Sequence, residues 1–197
     1  MKLENSTLLA AGFMLLAYLA GSFSSAISLS KIMGFPDPRS EGSKNPGATN
    51  VMRIAGKKAA ALTLLGDLLK GFASVLLANL FLQNPIFIAL TGISAFLGHC
   101  FPLYYQFKGG KGVATAFGFI LAFNWIAGLI TVAIWLIVAR VFKMSSLAAL
   151  IAFSLLPFLY YAIYQDSIIS MLLLGMALVL AYRHKQNIQR ILRGEER

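Results

Sequence analysis

Residues 113–139 read Val113-Ala-Thr-Ala-Phe-Gly-Phe-Ile-Leu-Ala-Phe123-Asn124-Trp125-Ile-Ala-Gly-Leu-Ile-Thr-Val-Ala-Ile-Trp-Leu-Ile-Val-Ala139, 27 residues without a formal charge. About 20 apolar residues suffice to cross a bilayer as a helix. This run is therefore one tilted span or a hairpin of two short ones with its turn at Asn124. The choice sets which side of the membrane everything after it occupies. Other apolar segments lie at roughly 7–30, 59–82, 86–106, 147–164 and 167–183, and splitting the run at Asn124 adds 113–123 and 125–142.

The distribution of basic residues decides the matter. With the N-terminus outside and seven spans, four groups become cytoplasmic: Lys31, Arg39, Lys44, Arg53, Lys57 and Lys58; Lys108 and Lys111; Arg140 and Lys143; and Arg183, Lys185, Arg190, Arg193 and Arg197. Of the 17 Lys and Arg, only Lys2 and Lys70 fall elsewhere. Six spans would throw Arg140 and the tail to the side opposite the first loops, against the positive-inside rule. The outer connections, near Gln83-Asn84-Pro85, Asn124 and Gln165-Asp166, are short and carry no basic residue. The expected fold is an all-α polytopic membrane protein with seven transmembrane helices, N-terminus outside and C-terminus cytoplasmic. Residues 1–197 form one domain, with its polar motifs at the cytoplasmic face.

Composition agrees. Of the 197 residues, 58% are hydrophobic and only 12% charged, and mean hydropathy is +0.76. Soluble domains sit nearer half apolar and a quarter charged, and no polar stretch here is long enough to build one. A net charge of +10 would suggest nucleic acid in a soluble chain. Here positive-inside topology, anionic lipid and an anionic substrate account for it, and no nucleic-acid partner is expected. The single Cys100 excludes an internal disulfide. His99 and His184 stand far apart with no second ligand type nearby, so no metal site and no cofactor are expected. The first apolar segment lacks a basic n-region beyond Lys2 and runs on into Gly21-Ser22, unlike a signal peptide.

Function lies in the breaks between spans. Glu41-Gly42-Ser43-Lys44-Asn45-Pro46-Gly47-Ala48-Thr49-Asn50 offers the hydroxyls of Ser43 and Thr49 and the amides of Asn45 and Asn50. Its Pro46-Gly47 pair predicts a type II turn. Such a loop aims N–H groups and small polar side chains at one point, as a phosphate requires, and Arg53 can add a bidentate contact. The plainer alternative is a solvated loop. Gly109-Gly110-Lys111-Gly112 precedes an apolar helix. Glycines admit an anion close to the backbone, a helix N-terminus favours negative charge, and lysine adds a full charge. It is no Walker A loop, because Gly112 stands where Ser or Thr is required. A flexible basic turn is the alternative.

At 100° per residue, His184, Asn187, Ile188, Ile191 and Glu195 share one stripe of the tail, and Arg183, Arg190, Arg193 and Arg197 the other. The arginines would face lipid headgroups, with His184 and Asn187 turned inward and Gly194 able to end the helix before Glu195. A basic anchor with an incidental histidine is the alternative. His99, inside a span before Cys100-Phe101-Pro102, is either functional or a helix-to-helix hydrogen bond. Asp67 and Lys70, three apart on one face, read as a structural ion pair. Ser145-Ser146 reads as a helix start.

In order along the chain come Gly42-Ser43-Lys44-Asn45-Pro46-Gly47-Ala48-Thr49-Asn50, Asp67-Leu68-Leu69-Lys70-Gly71, His99-Cys100-Phe101-Pro102, Gly109-Gly110-Lys111-Gly112-Val113-Ala114-Thr115 and His184-Lys185-Gln186-Asn187-Ile188-Gln189-Arg190. This series resembles the bacterial membrane acyl-phosphate:glycerol-3-phosphate acyltransferases, the PlsY family, over nearly the whole chain. The resemblance implies a seven-helix inner-membrane enzyme with its active site facing the cytoplasm. It would move a fatty acyl group from acyl phosphate to the sn-1 hydroxyl of glycerol 3-phosphate. Lysophosphatidic acid and inorganic phosphate are the products, the first step of this route to phospholipid.

By position, Ser43, Arg53, Lys111, Ser146, His184 and Asn187 match the family's active-site residues; Ser146 is chosen over Ser145 because Leu147-Ala148 follows it. Ser43, Lys111, His184 and Asn187 are the catalytic candidates. Asn45, Gly47, Asn50, Arg53, His99, Gly109, Gly110, Gly112, Ser146 and Glu195 are the substrate-binding candidates. Lys44 stands where the family's first motif usually has a second glycine. At a positive φ it would strain the turn; otherwise it adds a cation.

The His-x-x-x-x-Asp signature of the common soluble and peripheral acyltransferases is absent, since Tyr104 and Gln189 occupy the fifth positions after the two histidines. Acyl phosphate is already activated, so no covalent nucleophile is needed and Cys100 can be a bystander. A transporter of an organic phosphate would use the same cations, but its site would lie at the midplane between repeats, and no repeat is visible here. A non-catalytic lipid-binding subunit would not need Gly-Gly-Lys-Gly. Acyl phosphate, glycerol 3-phosphate and membrane lipids are the expected partners. The oligomeric state is left open, a monomer included.

Overall fold

A computed structural model describes residues 2–196, with side chains from Ser6 onward. Arg197, expected on the arginine stripe of the tail, lies outside the described residues. The described residues hold nine α-helices: α1 Lys2–Ser22, α2 Ser25–Met33, α3 Ala48–Phe81, α4 Pro85–Cys100, α5 Val113–Phe123, α6 Trp125–Phe142, α7 Ser145–Tyr164, α8 Ser167–Arg183 and α9 Lys185–Leu192. Five stretches are long and apolar enough to cross a membrane, or six if α8 and α9, bent by 65°, count as one. At 11 residues, α5 rises only about 16 Å. Large apolar side chains such as Leu16, Leu80, Ile137 and Leu178 point outward, as lipid contact requires and water does not favour. The helices group into two compact units, residues 1–123 and 124–197.

In the first unit α1 packs on α4, and α3 on α5. Glycines let the backbones nearly touch. A Cβ on Gly71 would lie 2.1 Å from the Thr115 carbonyl oxygen, and one on Gly118 2.0 Å from that of Leu68. Small residues at such crossings are the packing device of helices in lipid, where dispersion replaces the hydrophobic effect.

The expected span 7–30 is broken. Ser24, extended at φ −93°, caps α2 by accepting from the Ile27 N–H. The break frees carbonyls at the end of α1, and Lys70 Nζ donates to two of them, Gly21 O at 3.2 Å and Phe23 O at 2.7 Å. The helix Ala48–Phe81 also breaks, at Gly56 with φ +79°. The first two turns, carrying Arg53, therefore run apart from the apolar span that begins at Lys57. Pro102 follows the end of α4, and a short 3₁₀ turn, Leu103–Tyr105, leads toward the glycine loop.

In the second unit α7 packs on α6 and α8, and α9 folds back against α7 and α8. A helix break stands at Asn124, which caps α6. Its side chain accepts from the Ala127 N–H at 2.9 Å and from the Tyr164 hydroxyl at 3.0 Å. Asp166 caps α8 the same way, accepting from the Ile169 N–H at 3.0 Å.

Candidate active site

The first polar loop, 34–47, is organised by one buried amide. Asn50, 1% exposed, accepts from the Ser43 N–H at 2.8 Å through Oδ1, and donates through Nδ2 to Pro38 O at 2.9 Å and Glu41 O at 3.0 Å. Its amide is thus spent on holding the loop, and in this structure it acts as a positioning residue. A Cβ on Gly42 would lie 2.3 Å from Asn50 Oδ1. The expected type II turn at Pro46-Gly47 is absent. Gly47 is extended at φ −140° and serves as the N-cap of α3, its N–H donating to Asn45 O at 2.9 Å. The tight turn lies earlier, closed by the Lys44 N–H on Glu41 O at 3.0 Å. Lys44 itself has φ +57°. Of the two alternatives for this position the strained one holds, and it is a conformation that suits the glycine it replaces. Ser43 and Asn45 are half-buried and Arg53 is exposed. Arg39 is committed to Asp37, 2.6 Å away. The hydrogen bond from Arg39 holds the Asp37 carboxyl below its ordinary value.

The second loop packs against the end of α4. The Gly110 N–H donates to His99 O at 3.1 Å. A Cβ would lie 2.2 Å from His99 O at Gly109, 2.2 Å from His99 Nε2 at Gly110, and 2.3 Å from the Phe96 ring at Gly112. All three glycines therefore serve close packing onto His99 and Phe96. Lys111, the one side chain in the set, is half-buried.

The second unit carries the other group. His184 is the pivot between α8 and α9 and is 2% exposed. Its Nδ1 lies 2.8 Å from Leu180 O. A carbonyl only accepts, so Nδ1 bears a proton, and whenever the ring is neutral its lone pair is on Nε2. Asn187 is buried on the same face. Ser146 does not cap α7; its hydroxyl donates to Glu196 Oε1 at 2.6 Å. Asn187 Nδ2 donates to that same oxygen, and Arg190 Nε to Glu196 Oε2 at 2.6 Å. Burial raises the Glu196 pKa, but these hydrogen bonds outweigh it and hold the carboxyl below its ordinary value.

Two expectations are corrected here. Glu195 is exposed and Glu196 takes the inward place. The helix ends at Leu192, and Gly194 at φ +70° turns the chain back, so helical angles no longer apply beyond it. Arg190 is no lipid-facing stripe residue, because Glu196 draws it in. The only signal for either in the sequence was the Gly194-Glu195-Glu196 terminus. Among the described residues no three of His, Cys, Asp and Glu gather as a metal site would need.

Apolar helices with outward-facing leucine and isoleucine side chains, interrupted by polar breaks, define a helical membrane protein. A family model described as glycerol-3-phosphate acyltransferase matches residues 11–194. The glycerol-3-phosphate acyltransferase of Methylococcus capsulatus is 51% identical over 91% of this chain and 91% of its own length. That of Thioalkalivibrio sulfidiphilus is 50% identical over 96% and 93%. A crystal structure of PlsY (YgiH), an integral membrane glycerol 3-phosphate acyltransferase in its glycerol 3-phosphate form, superposes with a TM-score of 0.90 at 34% identity. The match covers 95% of this chain and 94% of that one. Its lysophosphatidic acid form superposes at 0.86. The chain belongs to the glycerol-3-phosphate acyltransferase family.

Lys44→Gly should relieve the left-handed turn and stabilise the protein by about 0.5–1 kcal/mol, the steric relief less the added freedom of the unfolded chain. The expected readout is a higher thermal midpoint in detergent with the Michaelis constants unchanged. A several-fold rise in a Michaelis constant would assign the Lys44 charge a role in binding.

Glu196→Gln should lower the thermal midpoint at pH 7. Because the folded pKa is depressed, the stabilisation is full above the ordinary value of 4.5 and is lost as pH falls through the folded value. The gap between variant and wild type should therefore close in acid; a gap constant across that range contradicts the ionic role.

Proposed function

We propose that residues 1–197 act as one membrane-bound enzyme domain that transfers a fatty acyl group from acyl phosphate to the sn-1 hydroxyl of glycerol 3-phosphate. Lysophosphatidic acid and inorganic phosphate leave, opening bacterial phospholipid synthesis. The observation that carries this reading is the near-full-length likeness to PlsY in its glycerol 3-phosphate form, at a TM-score of 0.90, joined to the polar groups described above. The active site faces the cytoplasm of the bacterial inner membrane, with seven spans and the N-terminus outside. Under this topology α5 is a short seventh span. The backbone before it, buried at Gly110 and Gly112, supplies the missing reach, since irregular backbone is tolerated at membrane depth where protein covers it.

The chemistry asks little of the protein beyond placement and charge. The glycerol hydroxyl oxygen attacks the carbonyl carbon, the carbon–oxygen bond to phosphate breaks, and the bridging oxygen leaves with phosphate. Lys111, Arg53 and the Ser43 loop bind phosphate groups. Loop N–H groups or the Asn187 amide are the donors proposed for the developing oxyanion. The hydroxyl proton passes to a phosphate oxygen of the substrate, with His184 orienting the groups. One feature of His184 favours this over His184 as the base. Its Nδ1 partner is the Leu180 carbonyl, not a carboxylate that would stabilise an imidazolium.

Purified protein in detergent or lipid mesophase, given acyl phosphate and glycerol 3-phosphate, should release phosphate and lysophosphatidate in equal amounts. Acyl-CoA and acyl-carrier protein should not replace the donor. Lys111→Ala should lose about a hundredfold or more in turnover. No turnover with any donor, from folded protein that binds glycerol 3-phosphate, would favour a transporter of organic phosphate. Near-complete loss in His184→Gln with substrate affinity retained would make His184 the base.

A further inference from the structure

Three ionisable side chains lie buried inside the first unit, beyond the phosphate-binding set: Asp67 and Lys70 on α3 and His99 on α4. Their side chains are 4%, 10% and 7% exposed. Lys70 Nζ stands 2.9 Å from Asp67 Oδ1 and 3.2 Å from His99 Nδ1, while its hydrogen bonds also reach Gly21 O and Phe23 O. The approach to Asp67 is poorly aligned for a hydrogen bond, so charge holds that pair. His99 Nδ1 thus faces both charges, Lys70 Nζ at 3.2 Å and Asp67 Oδ1 at 3.6 Å, which leaves Nε2 as the opposite edge of the ring. That Nε2 edge is the surface on which Gly110 rests.

The backbone of α3 beside this group grips the glycine loop from its other end. Thr115, in the first turn of α5, donates its hydroxyl to the Asp67 carbonyl oxygen at 2.9 Å, and Gly71 abuts the Thr115 backbone. Lys111 is thus flanked on one side by Gly109 and Gly110 seated on His99, and on the other by a turn fastened to Asp67. Stability alone does not call for charges here, since replacing a buried ion pair by apolar groups is often neutral or stabilising.

We propose that Asp67, Lys70 and His99 are positioning residues for the 109–112 loop: the Lys70–Asp67 pair sets the ring of His99, and the two attachments set the loop that binds the phosphate of glycerol 3-phosphate. The proposal rests on the acyltransferase reading given above. Wild-type turnover in the same preparation tests that reading separately.

The test is the double variant Asp67→Asn/Lys70→Met, which removes both charges together and leaves none unpaired. Its thermal midpoint should fall by about 5–10 °C, because the Gly21 and Phe23 carbonyls lose their donor, with the protein still folded at the assay temperature. Its Michaelis constant for glycerol 3-phosphate should rise about fivefold or more, with kcat changed less than the Michaelis constant. A smaller rise in folded protein overturns the proposal, because a purely structural pair would leave the constant unmoved. If the double variant does not fold, Lys70→Gln, which keeps a donor toward the Phe23 carbonyl, is read by the same criterion. Failure of both to fold assigns the group to stability alone and overturns the proposal.

Discussion

A buried polar group in an apolar phase must be answered by another, and Lys70 shows the rule at its strictest. The first apolar stretch breaks after Ser22, leaving helix-end carbonyls that need donors. Lys70 donates to two of them and balances its charge on Asp67. Remove that ammonium and the α1 end, the α3 carboxylate and the His99 ring all lose a partner together. The break is answered by a residue 47 positions further along, hydrogen-bonded to Phe23.

The same economy governs each polar loop. Asn50 spends its amide on three backbone groups and so fixes the 38–43 path. In the other unit Glu196 gathers a hydroxyl, an amide and a guanidinium on one carboxylate, and Leu180 sets the tautomer of His184. These contacts separate residues that hold the chain from residues offered to substrate. Asn50 and Glu196 fall among the first, and the Ser43 hydroxyl is left for the second.

Much of this was legible in the sequence because its causes are local. The helix break at Asn124 follows from an amide between two apolar runs. The inward face of α9 follows from 100° geometry, and the Asp67–Lys70 pair from a spacing of three. What escaped depends on backbone that departs from regular periods. Gly194 ends the helix, so Glu196 rather than Glu195 turns in. Pro46-Gly47 signalled a type II turn, but Gly47 was recruited as a helix cap and the positive φ moved to Lys44. The break at Ser24 is silent in hydropathy, since Ser22, Ser24 and Ser25 scarcely interrupt an apolar run. The residue that answers it, Lys70, lies too far along the chain for any local pattern to show.

The central claim is that the polar groups serve transfer of an acyl group at its carbonyl carbon, from acyl phosphate to a glycerol hydroxyl. Acyl phosphate carrying ¹⁸O only in the oxygen bridging carbon and phosphorus tests it most directly. Turned over with glycerol 3-phosphate and analysed by mass spectrometry, it should deliver all its label to inorganic phosphate and none to the ester of lysophosphatidate. Label retained in a free fatty carboxylate, with a second phosphate on glycerol, would mean phosphoryl transfer and would contradict the account.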